Sequence, residues 1–516
     1  MRTVFRPAFP LLRLFFFNSD MPRSNACALL LLSLLAVSPL GAQTAPVLAP
    51  DKPLLVEDAI ALAMRKNFDL QIQANSTDQQ KETLAIAQAG FDPSVNATVL
   101  RNFNETPGRS SNLEASSSDT TSFRAGISQP LIWTNGSLGL AGNLGRSATN
   151  NAFNLFNPAF SNSLTATLNQ PLLRNAGGVA ARSNINRTKL GVSIAYINYK
   201  SQVLTVVAAT ENAYYSLVAQ RETLRIRQLS LQLSQRLYDE NQARRTTGVM
   251  TDLDVLSAEV GVANSRRGVI QAEQSVRDAE DTLLNLVNAA DFDARPGAVK
   301  FNDYTGGAPN FAASYKLARD YYPPTLSAAE TLKQLQIDLE TARRNLKPIL
   351  DLTASYGFAA RQVSSGYGDV LSNLVDDHGN NWGLGLTYSM PWGRRADKAR
   401  FRQAQLNLAS QQLRLDQAEQ QLMVSVRTAV RSVETNLAAV EIASKATMLS
   451  EKQYEQQKAR FDAGLSTSRA VLQAQDDLEN TRFQELSAKL TLRRAASELR
   501  RLEGTSIQRY GIQLPQ

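Results

Sequence analysis

The chain has 516 residues, 43% of them hydrophobic and 20% charged, with a formal net charge of +8 and a pI of about 9.4. Lysine and arginine alternate with aspartate and glutamate along helical stretches, which is the pattern of a solvated face and argues against a nucleic-acid binder. A single cysteine, Cys27, and a single histidine, His378, leave no material for a disulfide framework or a Cys/His ligand set.

Arg23, the apolar run Ala28–Val37 and Pro39-Leu40-Gly41-Ala42 read as a secretory signal peptide cut near Ala42, with translation starting at Met21. Residues 1–42 are therefore leader and signal peptide. Beyond Ala42 no stretch approaches the roughly 20 apolar residues of a membrane helix. A membrane crossing by the mature chain would have to use β-strands in a closed barrel, because lipid offers no partner to open backbone groups.

Leu54 to Ala89 reads as a helical segment ending at Gly90-Phe91-Asp92-Pro93. Phe311 to Leu346 is its counterpart, ending at Lys347-Pro348. Leu62, Ala63, Ala74, Ala87 and Pro93 stand 255 residues ahead of Leu317, Ala318, Ala329, Ala342 and Pro348. An offset held over that length indicates an internal duplication. It divides the chain into a first repeat over 43–290, a linker rich in Asp, Gly and Pro over 291–310, a second repeat over 311–504 and an irregular tail over 505–516.

After Pro93 the period switches from helix to strand. Ser94 to Phe103 alternates weakly and is followed by a Ser/Thr/Asn-rich loop, Asn104–Thr121. Phe123–Trp133, Ser137–Gly145 and Leu164–Leu172 are further strands, and Thr134-Asn135-Gly136 is a hairpin turn. Ser128-Gln129-Pro130-Leu131 and Asn169-Gln170-Pro171-Leu172 repeat one strand end. The first half thus has about one hairpin more than the second, and the sequence leaves open whether it enters a barrel.

Two long polar helical hairpins follow, one per half. Val203, Thr210, Leu217, Leu224, Leu231 and Tyr238 fall seven apart, as do Val255, Val262, Val269, Val276 and Leu283. Such a stripe on a polar surface is a coiled-coil-like seam. From Asn186 to Arg245 nothing interrupts the helix, which would extend about 90 Å at about 1.5 Å per residue. The hairpins fold about similar turns, Gly248-Val249-Met250-Thr251 and Gly464-Leu465-Ser466-Thr467, which lie 216 residues apart. Glycine suits the left-handed residue that ends a helix, and Thr or Ser suits the next N-cap.

In the second half Leu350, Leu352, Ala354, Tyr356, Phe358 and Ala360 share one strand face. The partner strand alternates Trp382, Leu384, Leu386, Tyr388, Met390 and Trp392 against Gly383, Gly385, Thr387 and Ser389. Strands of about ten residues, apolar on one face and small or polar on the other, suit a transmembrane barrel, although a soluble sandwich alternates in the same way. Two features favour the barrel. Trp133, Trp382 and Trp392 are expected at strand ends as membrane-interface aromatics. Gln362–Asn381 is expected to be a long external loop.

No motif for catalysis, cofactor binding or metal binding emerges. His378 beside Asp376 and Asp377 reads as a solvated loop triplet more readily than as a metal site. Gly136-Ser-Leu-Gly139-Leu-Ala-Gly142 lies in a strand pattern with no helix after it, unlike a nucleotide cradle. The expectation is a protein that is not an enzyme and carries no cofactor.

Taken with the element order, Leu54-Leu55-Val56-Glu57-Asp58-Ala59-Ile60, Gln170-Pro171-Leu172-Leu173, Glu211-Asn212-Ala213-Tyr214-Tyr215 and the two Gly turns resemble the TolC-type outer membrane efflux protein family over about Leu54 to Glu503. The resemblance implies a mixed α and β fold, in which a trimeric outer-membrane β-barrel continues into a long coiled-coil α-helical barrel in the periplasm. It implies a homotrimer that contacts outer membrane lipid, a periplasmic adaptor protein and, through the adaptor, an inner-membrane transporter. It also implies a gate at the hairpin turns, with Asp254, Phe461, Arg469 and Gln473 as candidates. Gly248, Thr251, Gly464 and Ser466 become candidates for adaptor docking. Ala470 and Gln473 stand where the family has a ring of acidic groups, so that ring is missing here. The function expected is the outer membrane channel of a tripartite efflux pump. The outlet of a type I protein secretion system and a periplasmic coiled-coil structural or adaptor protein stand as alternatives.

Overall fold

The computed structural model of the protein describes residues 53–105, 117–150, 154–248, 250–289, 295–300, 304–360 and 365–514. The signal peptide with Cys27, Val249 of the first turn, and parts of the loop 104–121 and of the linker 291–310 lie outside the described residues.

In chain order, α1 (Val56–Lys66) and α2 (Phe68–Ala89) lead into β1 (Ser94–Glu105), β2 (Ser117–Pro130), β3 (Ser137–Thr149) and β4 (Ala159–Pro171). The first long hairpin follows, α3 (Gly178–Thr246) and α4 (Asp252–Leu286). The second half runs α5 (Phe311–Tyr321), α6 (Pro323–Arg344), β5 (Ile349–Ala360), α7 (Tyr367–Asp376) and β6 (His378–Ser389). It ends with the hairpin α8 (Arg395–Asp462) and α9 (Ser468–Glu503), then α10 (Ser506–Arg509).

Each opening segment expected as one helix is two. Asn67 leaves helical geometry between α1 and α2, and its side chain caps α2 by accepting from Leu70 N at 3.2 Å. In the second half the break falls before Pro323, whose missing N–H is tolerated at a first helical position. The opening elements of the two halves otherwise match in position. The starts of α1, α2 and β1 at 56, 68 and 94 recur at 311, 323 and 349, each 255 residues later. The end of α3 and the start of α4, at 246 and 252, recur at 462 and 468, only 216 later. The first half therefore has 39 more residues between the start of its opening strand and the end of its long helix.

Those residues supply a hairpin. All six strands lie in one antiparallel sheet in the order β1-β2-β3-β4-β5-β6, so both first-half hairpins belong to it. The register aligns Val95, Ile127, Leu140, Ala166, Tyr356 and Trp382 in a single row across the six strands. The neighbouring row, on the opposite face, is Asn96, Gly126, Ala141, Thr165, Gly357 and Asn381. One face is thus apolar over its helix-side part and ends in the Arg101–Asp119–Arg146 ion pairs toward the far end, while the other carries mostly small and polar side chains.

Three expectations for this region are corrected. Trp382 is not at a strand end: it lies inside β6, paired with Tyr356. Trp133 and Trp392 do follow strand ends, in the turns after β2 and β6. The segment 362–381 is not an unstructured loop, since α7 occupies Tyr367–Asp376 and β6 begins at His378. Its Ser, Gly and Asp content masked a helical spacing: Val370 is fully buried against Phe160 and Ala360, with Leu374 packed alongside. His378 accordingly pairs with Ala360 in the sheet and meets Phe358 edge-on at 4.8 Å. Among the described residues no group of His, Cys, Asp and Glu is placed to hold a metal.

Below the sheet, α1, α3 and α4 bury Ile60, Val203, Val207, Tyr214, Leu217 and Leu283 in one cluster. In the second half α5, α8 and α9 bury Ala318, Val426, Val433 and Leu492 in another. The tail joins the first cluster through Ile507, Tyr510, Ile512 and Leu514, and contains α10, so it is not irregular throughout. The linker is pinned as well: Leu54 N donates to Ala298 O at 2.9 Å, and Tyr214 Oη donates to Leu54 O at 2.9 Å. No helix of the described residues is long and apolar enough to cross a membrane.

Candidate functional site

At about 1.5 Å per residue, the 69 residues of α3 extend about 100 Å, so the two turns lie far from the sheet. Both turns follow the same local rules. Gly248 and Gly464 adopt φ of +78° and +74°, a region that costs any residue with a Cβ. Gly464 N donates to Phe461 O at 3.0 Å and Leu465 N to Arg460 O at 2.8 Å, satisfying the last carbonyls of α8. Thr251 then caps α4, accepting from Asp254 N at 3.3 Å, while the Asp254 carboxylate accepts from Thr251 N at 3.2 Å. This reciprocal capping box sets Asp254 within its own turn. In the second turn the cap is Thr467, which accepts from Ala470 N at 3.3 Å. Ser466, one residue earlier, donates to Gln457 Oε1 at 3.2 Å.

The turns pack against each other around Phe461, which is fully buried with Leu237 and Val471 and flanked by Met250, Tyr454 and Leu472. The Arg244 guanidinium lies over its ring at 4.4 Å, and Lys458 Nζ approaches at 5.5 Å. Arg244 also donates to Phe461 O at 3.2 Å and pairs with Asp462 at 3.4 Å. Lys458 reaches Glu240 at 2.5 Å and Asp462 at 3.1 Å, and Arg245 reaches Asp252 at 2.5 Å. Burial by itself depresses the Lys458 ammonium, but its hydrogen bonds to Glu240 and Asp462 outweigh that and hold its pKa above the ordinary lysine value. A raised folded-state pKa gives stability that is present below the unfolded value and lost as pH rises through the folded one. We therefore expect the protection of the turn amides, with the intrinsic base-catalysed rate divided out, to fall at strongly alkaline pH, and Lys458→Met to remove that fall.

A buried polar ladder ties the hairpins together above the turns. Asn241 Nδ2 donates to Ser468 Oγ at 2.7 Å, with both side chains buried. Gln475 Nε2 donates to Ser230 O at 2.9 Å and contacts Ser234 Oγ at 3.0 Å. These residues were not among the candidates read from sequence. A usable signal existed, since Ser234 and Asn241 are seven apart on α3, as Ser468 and Gln475 are on α9.

Of the gate candidates, Asp254 is tied to the second hairpin through Asn241, whose Nδ2 donates to Asp254 O at 3.3 Å and to Ser468 Oγ, while Phe461 anchors the neighbouring apolar cluster. Arg469 is exposed, and Gln473 donates to Asp477 at 3.0 Å along its own helix. The turns offer a set of ion pairs around one aromatic anchor.

The profile of outer membrane efflux proteins matches residues 133–289 and 317–505, one stretch in each half and together more than half of the chain. The chain belongs to the outer membrane efflux protein family. The matched stretches take up the first half after β1 and β2 and contain both long hairpins with both turns. Among relatives, the pyoverdine export outer membrane protein OpmQ of Pseudomonas aeruginosa is 26% identical over 308 residues, 57% of this chain and 61% of that protein. Outer membrane protein TolC of Escherichia coli is 20% identical over 320 residues, 59% of this chain and 63% of TolC. The chain thus spans about three-fifths of the length of the relatives it matches. The fold is shared with solved channels of the family. The Campylobacter jejuni CmeC outer membrane channel superposes with a TM-score of 0.66 at 16% identity, over 87% of this chain and 86% of that one. The Neisseria gonorrhoeae MtrE outer membrane channel does so with a TM-score of 0.62 at 17% identity, over 87% and 88%.

Proposed function

We propose that this efflux family member is the outer membrane channel of a tripartite pump, carrying cargo from an inner-membrane transporter and a periplasmic adaptor to the exterior. It acts as a homotrimer, with its sheets in the outer membrane and its long helices in the periplasm. The observation that carries this reading is the apolar row that crosses all six strands, exposed at Val95, Ile127, Leu140, Tyr356 and Trp382, in a chain whose long helices are polar. Exposed patches of that extent mark a lipid or partner surface, and a periplasmic adaptor without a barrel has no use for one. Export of a small molecule is preferred to protein secretion because a relative is a pyoverdine export protein.

The turns are the mobile end. Adaptor contact at Gly248, Thr251, Gly464 and Ser466 realigns the hairpins, and the Arg244, Lys458 and Asp462 pairs re-form in the open arrangement. Asp254, Phe461, Arg469 and Gln473 line or support that gate. Conduction is passive; the energised partner supplies the direction.

Two expected results test this function. Leu384→Arg places a charge in the middle of the apolar face, at a cost of about 2–4 kcal/mol near a bilayer midplane, and should sharply lower recovery of trimer from outer membranes. Normal recovery in a fully water-soluble form would refute the membrane assignment. Gly464→Pro puts a residue fixed near φ −65° where φ is +74° and removes the bond from Gly464 N. Export should be abolished while insertion into the outer membrane is retained. Export at the parental rate would remove the turns from the docking and gating role.

A further inference from the structure

The two halves differ by one hairpin, and that hairpin is built as wall. Its strands β2 and β3 expose Phe123, Ile127, Leu138 and Leu140 on the face shared with Tyr356, Trp382 and Leu384. On the opposite face they carry Ser122, Arg124 and Gly126, then Gly139, Ala141 and Asn143. A hairpin folded into a lumen as a plug would be polar on both faces, because water would surround it. A hairpin with one apolar and one polar face, in register with its neighbours, separates lipid from water.

The sheet is open at both edges. Among the described residues β1 pairs only with β2 and β6 only with β5; both edge strands are 12 residues long and exposed throughout. An unpaired edge cannot lie in hydrocarbon, where each lone backbone group costs several kcal/mol. A second copy of the same chain supplies the missing partner. With an even number of alternating strands, β6 of one copy runs antiparallel to β1 of the next. Ser94 and Ser389 mark the helix-side ends of these edges, and Glu105 and His378 mark the far ends. The apolar faces then join without a step, Val95 and Val99 on one side meeting Trp382 and Leu384 on the other.

We infer that three copies close an eighteen-strand barrel, six strands from each, with the β2–β3 hairpin as part of its wall. The inference rests on the trimeric outer-membrane reading proposed above. Barrel diameter grows with strand number: at a spacing of about 4.8 Å and a tilt of about 40°, eighteen strands give a backbone radius of about 18 Å and twelve give about 12 Å. The chain without its additional hairpin would make the twelve-strand form. The lining is mostly hydroxyls, amides and glycines, with Arg124 on β2 and Asp351 on β5 as charged exceptions of opposite sign. The exit is therefore wide and weakly selective, and selection of cargo by size falls to the turns at the opposite end.

Site-directed spin labelling of the full chain in lipid bilayers tests this, since Cys27 in the leader is the sole native cysteine. Labels at Phe123→Cys and Leu140→Cys should be relaxed by oxygen dissolved in lipid, like a label at Leu384→Cys on β6. Labels at Arg124→Cys and Ala141→Cys should respond to a water-soluble nickel chelate, like one at Gly385→Cys. If positions 123 and 140 are in water while 384 is in lipid, the hairpin is not wall and this inference fails with the channel function intact. If 384 is in water as well, both fall. End-on electron-microscopy projections of the trimer give a second measure: a ring of backbone diameter about 36 Å supports eighteen strands, and one of about 24 Å overturns them.

Discussion

Replacing Glu211 with leucine is expected to destabilise the protein by about 3–5 kcal/mol, because it leaves a buried cation without its carboxylate. Glu211 lies on α3 and is only 2% exposed. It accepts from Ser497 Oγ at 2.7 Å and pairs with Arg500, both on α9, so one carboxylate joins the long helices of the two halves. Next to it, burial and then the Glu211 charge push the phenol of Tyr510 well above its ordinary pKa. With leucine at 211, the Arg500 guanidinium would be left beside apolar groups and Ser497 would lose its acceptor. The double variant Glu211→Leu with Arg500→Met should recover most of the loss, since removing both charges together also removes the desolvation cost. Denaturant midpoints of the four members of this cycle, measured on detergent-solubilised protein, provide the check. A loss below about 1 kcal/mol in the single variant would mean that the pair is solvated and acts like a surface bridge.

Glu211 belongs to a stretch, Glu211-Asn212-Ala213-Tyr214-Tyr215, that the sequence marked out by resemblance, yet its partner could not be read there. Ser497 and Arg500 are 286 and 289 residues away, and no local period connects them. The same limit applies to Asn241 and Ser468. What the sequence does carry is whatever repeats or alternates. The offset of 255 places α5, α6 and β5 from α1, α2 and β1, and the offset of 216 places the second turn from the first. The strand faces were legible because side chains alternate about a backbone with a period of two. Strand ends were not: β2 begins at Ser117 and β6 at His378, inside stretches whose Ser, Asn and Gly content is that of a loop. In those stretches the ladder to a neighbouring strand, rather than side-chain character, holds the backbone extended. The helix α7 was missed for a related reason. Tyr367, Val370, Leu371 and Leu374 have helical spacing, but ten residues give too few turns to stand out from their polar flanks. At the turns the offset of 216 pairs Gly248 with Gly464 and the cap Thr251 with Thr467.

Phe461→Ala is expected to loosen the turns by about 3–5 kcal/mol, the usual cost of emptying a buried phenylalanine site, while leaving the rest of the chain unaffected. The locality follows from the packing. The cluster around Phe461 has only Leu237 and Val471 as its other fully buried members, and it is separate from the two larger clusters nearer the sheet. Its other supports depend on the ring too: Arg244 at 4.4 Å and Lys458 at 5.5 Å hold their positions over an aromatic face that alanine does not offer. Hydrogen exchange should therefore accelerate over Tyr454–Gln475 and over Leu237–Val255, and remain slow over Val203–Leu217. Phe461→Leu should show a smaller change, because it keeps most of the volume and loses mainly the cation–ring contacts. In cells, if the turns form the gate proposed above, Phe461→Ala should also raise entry of a bulky antibiotic that the outer membrane normally excludes. Exchange rates at the turns equal to the parent's would show that the ion pairs, and not the buried ring, hold the hairpins closed. A uniform acceleration along α3 would show that the turns unfold only with the whole protein.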